Sequence, residues 1–436
     1  MEINAIRDND HAERSQARDN KGAYMMITDI VSQHVEEAAF LWLLRCNAIR
    51  QPHYALKDLA KLDERVEAHL DGLRVAGEPG WELCKAALGN EESGEVFAAS
   101  VMAFESDIET RIQVVLDVVT AKPELIDGIV SAMGWVTVEQ ASPKIQRFLS
   151  SQVHLHRQIG LAGCAVHRVD PKQALTQAVT SRNLALRARA LKAVGELGRK
   201  DLLGAVKEQL KAEDDEVRYW ASWSGALLGE STAIPVLRQF VESGHLTREP
   251  ACAMALRRMS VQEGQAWLKT LASAPNTLRL AVQAAGVIGD PANIPWLIQQ
   301  MFDPIVARVA GESFSFITGI DLGYDDLDAD KPEGFDAGPT EDSEDENVAM
   351  DADEDLPWPD PRLIEKWWSA HRHEFTNGTR YLIGKPMAID SLGEALKTGK
   401  QRQRRAAAIE LAMRQSGTPL FNCSAPGFRQ QKALLV

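Results

Sequence analysis

The sequence lacks any long apolar run. Its most hydrophobic stretch, Ala38-Ala39-Phe40-Leu41-Trp42-Leu43-Leu44, falls far short of the roughly 18 residues that cross a bilayer. An apolar leader is missing too: the opening residues interleave Arg7, Arg14, Arg18 and Lys21 with Glu2, Asp8, Asp10, Glu13 and Asp19, whereas a secretory signal needs a continuous apolar core. Cysteine is scarce. The five residues, Cys46, Cys84, Cys164, Cys252 and Cys423, are scattered and odd in number, which fits reduced, mostly buried thiols rather than a disulfide framework. These absences lead to the expectation of a cytoplasmic chain with no membrane association.

Catalytic signatures are missing as well. There is no Gly-x-Ser-x-Gly elbow, no Gly-x-x-x-x-Gly-Lys-Ser/Thr loop, no Gly-x-Gly-x-x-Gly after a strand and no His-Glu-x-x-His helix. His154 and His156, like His371 and His373, are two apart and point to different sides of a helix. Cys164 and His167 share a face but have no located third ligand. Glu36 with Glu37, or Glu64 with Glu67, would serve acid–base chemistry only in a pocket that splits their pKa values; solvated helix faces are their expected place. The expectation is therefore no catalytic residue, no cofactor and no metal.

A general basic charge is absent. The 436 residues carry −14, from 62 acidic and 48 basic side chains, and most of the acidity is local. Between Asp321 and Asp360 seventeen Asp and Glu face a single Lys331, whereas residues 361–436 hold thirteen Lys and Arg against five Asp and Glu. The first 320 residues are left with −6, too little positive charge for a nucleic-acid groove.

What the sequence does contain is a repeat. Ala190 precedes Gly198 by eight residues, Ala221 precedes Gly229, and Ala281 precedes Gly289; Ala251 stands eight before Met259, and Gly311 eight before Gly319. The step is about 30 residues. Leu186-Arg187, Val217-Arg218 and Leu278-Arg279 open a first helix, and the glycine near its end suits a left-handed cap. A second helix starts at Leu203, Ile234-Pro235 and Ile294-Pro295, where proline is tolerated in the first turn. Earlier echoes include Arg157 with Ala162 and Ala165, and a segment from Gly128 to Phe148 in which Pro143 opens a helix. Helical hairpins stacked at this period form an α-solenoid.

The Val-Arg-x-x-Ala…Gly helix and the Ile-Pro helix resemble HEAT-type repeats of the short kind found in bilin-lyase-like proteins. That likeness implies architecture and says little of activity; a lyase would need a reactive Cys or acid in a pocket, which the scattered cysteines do not suggest. A second resemblance rests on Glu36-Glu37-Ala38-Ala39-Phe40-Leu41-Trp42, Leu62 to Leu73, Gln401-Arg402-Gln403-Arg404-Arg405-Ala406-Ala407 and Gly417-Thr418-Pro419-Leu420-Phe421-Asn422. These segments are similar to an uncharacterised bacterial family that carries HEAT-like repeats and whose genes often sit beside type VI secretion spike and effector genes. The resemblance implies a non-catalytic adaptor or chaperone for an effector or spike component, with an immunity-type inhibitor that occludes a toxin as the alternative.

The expected organisation is all-α: a polar, disordered tail (1–26), an N-terminal helical cap (27–120), the HEAT-like solenoid (121–320), an acidic disordered loop (321–360) and a basic helical C-terminal extension (361–436). The cap's apolar face is Ile30, Val31, Val35, Ala38, Leu41 and Trp42, and the chain ends in an irregular tail from Thr418. Arg187, Arg218 and Arg279 are expected to bridge carboxylates of a neighbouring repeat such as Asp214 or Asp215. The partner is expected to be a protein, with aromatic anchors at Trp220 and Trp223, three apart on one helix face, and a basic cluster at Arg402, Arg404 and Arg405 beside Lys400. In this reading the acidic loop folds over the basic C-terminal helices and shields the partner site. Deleting Asp321–Asp360 then strengthens partner binding or makes it salt-sensitive; unchanged affinity at low and high salt would refute the shielding.

Overall fold

A computed structural model describes residues 28–338 and 350–435; the expected tail at 1–26 lies outside them. Twenty-two α-helices dominate the described chain. The early ones are α1 Thr28–Ala48, α2 Leu56–Ala76, α3 Glu78–Ala87, α4 Ser93–Ser106, α5 Glu109–Ala121, α6 Ile126–Trp135 and α7 Val138–Ser150. Next come α8 His154–His167, α9 Gln173–Ala178, α10 Leu184–Glu196, α11 Leu203–Gln209, α12 Asp215–Leu228, α13 Ala233–Glu242, α14 Arg248–Arg258 and α15 Val261–Ala272. The last are α16 Leu278–Ile288, α17 Ile294–Gln300, α18 Ala307–Thr318, α19 Pro361–His371, α20 Ile389–Thr398, α21 Gln401–Arg414 and α22 Gly427–Leu434. Two short antiparallel pairs complete it: β1 Asp328–Ala329 with β2 Trp358–Pro359, and β3 Tyr381–Leu382 with β4 Lys385–Pro386.

The chain divides into two compact units, one of residues up to 43 with 64–129, the other of 44–63 with 130–436. In the smaller unit, Val31, Val35, Ala38, Leu41 and Trp42 of α1 are buried as their helical spacing requires, and Trp42 stacks on Phe97 of α4 at 5.3 Å. Ile30, expected on that face, is exposed. Arg74 of α2 grips both oxygens of Glu105 at 2.7 and 2.8 Å.

The larger unit holds the repeats. First helices α8, α10, α12, α14, α16 and α18 alternate with second helices α9, α11, α13, α15, α17 and α19, and successive first helices from α8 to α18 pack side by side. Small residues allow that approach. A Cβ on Gly286 of α16 would fall 3.0 Å from Ser313 of α18, and Ser313 donates to the Val282 carbonyl at 2.9 Å. The caps follow the sequence: Asn183 and Asp214 each accept a backbone N–H three residues on, at 2.9 Å. Gly198, Gly229, Gly289 and Gly319 all take positive φ. Where Met259 replaces the glycine, the chain instead leaves α14 extended, and a Ser260–Glu263 capping box starts α15 at once.

Four sequence expectations need correction. Pro143 does not open α7; Thr137 caps that helix through a capping box with Gln140, and Pro143 lies inside it. Helix α19, assigned to the C-terminal extension, packs on α17 and is the second helix of the last repeat, with Trp367 edge-on to Phe314 of α18 at 5.6 Å. The acidic stretch is thus an insertion between the two helices of that repeat. Over its described residues it is ordered by the β1–β2 pairing and by ion pairs with Arg279 and Arg308, while 339–349 lie outside the described residues. The tail after Thr418 is not irregular throughout, since it contains α22.

That tail does structural work. The last carbonyls of a helix have no partner within it, and here a strap from residues 380 to 429 supplies donors to first helix after first helix. Arg429 donates to Gly134, Trp135 and Val136 at the end of α6 (2.7, 3.2 and 3.0 Å). Asn422 reaches Val166 of α8 at 3.1 Å, the Leu420 N–H reaches Glu196 of α10 at 3.0 Å, and Ser416 reaches Leu228 of α12 at 3.2 Å. Arg380 spans two repeats, donating to Arg257 of α14 and to Val287 and Ile288 of α16 (3.0, 3.1 and 3.1 Å). Backbone N–H groups of Tyr381, Ile383 and Gly384 then cover Gly289, Phe316 and Ile317 (2.7, 2.8 and 3.1 Å). The glycines make this approach possible: a Cβ on Gly198 would lie 2.6 Å from the Thr418 carbonyl, and one on Gly319 2.8 Å from Ile383.

The strap is pinned by a buried charge cluster. Glu410 of α21, 1% exposed, accepts from Arg257 at 3.1 Å and Arg380 at 3.2 Å, and also from Arg414. Burial acts to raise its pKa, but the three guanidinium groups prevail and hold it below 4.5. Because the folded pKa is depressed, the stabilisation is present above 4.5 and is lost as pH falls through the folded value. Glu410→Gln should cost roughly 3–5 kcal/mol, since it leaves buried arginines uncompensated; denaturant midpoints at neutral pH measure this, and the gap to wild type should narrow in acid. A chain ending at residue 415 should keep its helicity by circular dichroism. It should be cleaved faster at the ends of α8, α10 and α12, with α14–α19 still protected by Arg380; uniform protection would contradict the capping role.

Candidate functional site

On α12, Trp220 and Trp223 meet edge to face at 5.7 Å and both are half-buried. The Lys192 ammonium of α10 lies 4.5 Å from the Trp220 ring. Trp223 packs over Gly195 of α10, where a Cβ would come within 2.7 Å of its ring. Each indole therefore covers the preceding repeat and still presents part of its surface.

The three arginines expected to form one basic patch are dispersed by the fold. Arg404 is fully buried and spends its guanidinium on the Leu396 carbonyl (2.7 Å), Gln401 (3.1 Å) and Gln430 (2.7 Å); it holds α22 against α21 and is unavailable to a partner. Arg402 is half-buried, donating to the Arg50 carbonyl at 2.8 Å and to both Glu312 oxygens at 2.9 Å. Arg405 is exposed. Over its described residues the acidic insertion makes one ion pair with these helices, Asp321 with Lys400 at 3.6 Å, while Asp351 and Asp353 pair with Arg308 and Arg279.

Around Arg402 lies a pocket of about 280 Å³. Glu312, Ser315 and Phe316 of α18 line one side, Asp355 and Leu356 of the insertion another, and Lys400, Arg402 and His53 are among the remaining lining residues. Its charges are paired: His53 stands 3.6 Å from Asp355, besides the Lys400–Asp321 and Arg402–Glu312 contacts. Burial pushes the Glu312 carboxyl above its ordinary 4.5 although Arg402 opposes it, and the Asp353 charge adds to the rise. Such a pocket accommodates a small polar group or a side chain of a partner. Of these residues only Arg402 and its neighbour Lys400 stand out in the sequence, because the other walls come from segments far apart in the chain with no shared spacing.

The remaining chemical candidates have packing environments. Cys84, Cys164, Cys252 and Cys423 are buried, and burial pushes the first three thiols up to about 12 and Cys423 to about 11, far from nucleophilic ionisation. His167 shares its Nε2 with the Met133 carbonyl at 2.7 Å rather than with Cys164. Among the described residues no three His, Cys, Asp or Glu side chains gather to hold a metal, and no helix is long and apolar enough to cross a membrane.

Residues 172–256, from the residue before α9 to all but the last two residues of α14, match the family model of HEAT repeats. No curated protein matches the chain. HEAT repeats generally mediate protein–protein interaction and are typically non-catalytic. With its helical pairs and caps, this chain is an all-α solenoid of HEAT-like helical repeats.

Proposed function

We propose that the chain is a non-catalytic scaffold that binds a protein partner in the cytoplasm, as adaptor or chaperone for a type VI secretion effector or spike component. The observation that carries the scaffold reading is the pair Trp220 and Trp223, held half-exposed within the segment that matches HEAT repeats. Rigid aromatic surface is a common anchor in protein interfaces. The secretion context is supported by the sequence resemblance to the bacterial family described above, whose genes neighbour spike and effector genes.

Tagged full-length chain, expressed in its own host, should recover a spike or effector protein identified by mass spectrometry. The Trp220→Ala/Trp223→Ala variant should recover it at least about tenfold less, the loss of one anchor of hot-spot strength, while keeping its circular dichroism. Recovery of a toxin, with rescue of growth when the two are co-expressed, would replace the adaptor by an immunity inhibitor. Recovery of neither would refute both.

A further inference from the structure

Six arginines recur near the start of the first helices at the repeat step. Arg157, Arg187, Arg218, Arg248, Arg279 and Arg308 are separated by 30, 31, 30, 31 and 29 residues. They are not used alike. Arg187 and Arg218 turn back to the loop before their own helix, donating to the Ser181 carbonyl at 2.6 Å and the Ala212 carbonyl at 2.7 Å. Arg218 also pairs with Asp215 of its own helix, so these side chains do not bridge carboxylates of a neighbouring repeat. The last two do something different. Arg279 holds both oxygens of Asp353 at 2.6 Å through two parallel bonds. Arg308 pairs with Asp351 at 2.7 and 3.0 Å, beneath the Trp358 ring at 4.4 Å.

Asp351 and Asp353 belong to the insertion, not to the repeats. Without it, two guanidinium groups of adjacent repeats would face outward at the start of α16 and α18, each free to bind a carboxylate in its fork geometry. We propose that Arg279 and Arg308 form a recognition site for an acidic segment of a partner protein bearing carboxylates two residues apart, and that Asp351-Ala352-Asp353 occupies this site in cis. This rests on the scaffold reading and names the chemistry of the partner. The insertion's own segment shows how a ligand sits: one aspartate per repeat, with Ala352 between them. Being tethered, it competes at a local concentration on the order of millimolar, so a partner must present a longer or better-shaped acidic segment to displace it. The neighbouring Glu312 sets a further requirement, because its carboxylate repels acidic ligands that extend toward the pocket.

The test uses full-length chain and a fluorescent peptide of this chain's residues 350–356, Met-Asp-Ala-Asp-Glu-Asp-Leu. Asp351→Asn/Asp353→Asn chain should bind it saturably, with affinity falling as salt is raised. Wild-type chain should bind at least about tenfold more weakly because its own segment is in place. Adding Arg279→Gln to the double variant should also weaken binding at least about tenfold, and a peptide with its three aspartates and glutamate changed to amides should not bind. Each variant is first checked for wild-type circular dichroism, and Arg308→Gln stands in should the Arg279 variant fail to fold. No binding to the double variant at low salt, or equal binding with and without Arg279, overturns the proposal. Either result leaves partner capture through Trp220 and Trp223 to be judged by itself.

Discussion

The larger unit depends on what happens to the last carbonyls of its first helices. Every α-helix leaves such groups without intrahelical partners, and stacking helices in register lines them up along one edge. Water could satisfy them at an open edge. Here a single strap does so, using backbone N–H groups where glycine lets the chains touch and long side chains elsewhere. The arrangement gives several arginines of residues 361–436 a structural use. Arg380 and Arg429 serve carbonyls, Arg404 serves the strap's own helices, and Arg257, Arg380 and Arg414 surround Glu410.

The same logic sorts the surfaces. The edge under the strap is already bonded, so the partner-facing candidates lie elsewhere: the tryptophan pair on α12, the pocket beside Arg402, and the start of α16 and α18. The last two adjoin one another through Glu312, which feels both Arg402 and Arg279. Opposite charges meet across short distances throughout this corner, which limits what it can accept to groups that replace an existing pair.

Much of the solenoid was legible in the sequence because its cause is local. A glycine at the end of most first helices, a small residue eight before it, and proline in the first turn of a second helix are spacing rules that need no tertiary knowledge. Trp220 and Trp223 were placed correctly on one helix for the same reason. The strap was not legible, since a backbone N–H meeting a distant carbonyl leaves no mark in residue type; Leu420 and Tyr381 look like any apolar residues. Arg404 misled because charge normally signals exposure, and only the fold shows a carbonyl and two glutamines waiting for it. Asp351 and Asp353 were hidden by their neighbours, since nothing in residue type sets them apart within a run of acidic side chains.

The strap also alters how such an array can come apart. Repeat proteins ordinarily behave as one-dimensional chains in which each unit feels only the next, so ends fray and interiors open separately. A segment that joins residue 429 to residue 134 and residue 380 to residue 288 ties distant units to a common event. It can dock only against helix ends that are already in place, so its docking couples repeats that would otherwise open separately.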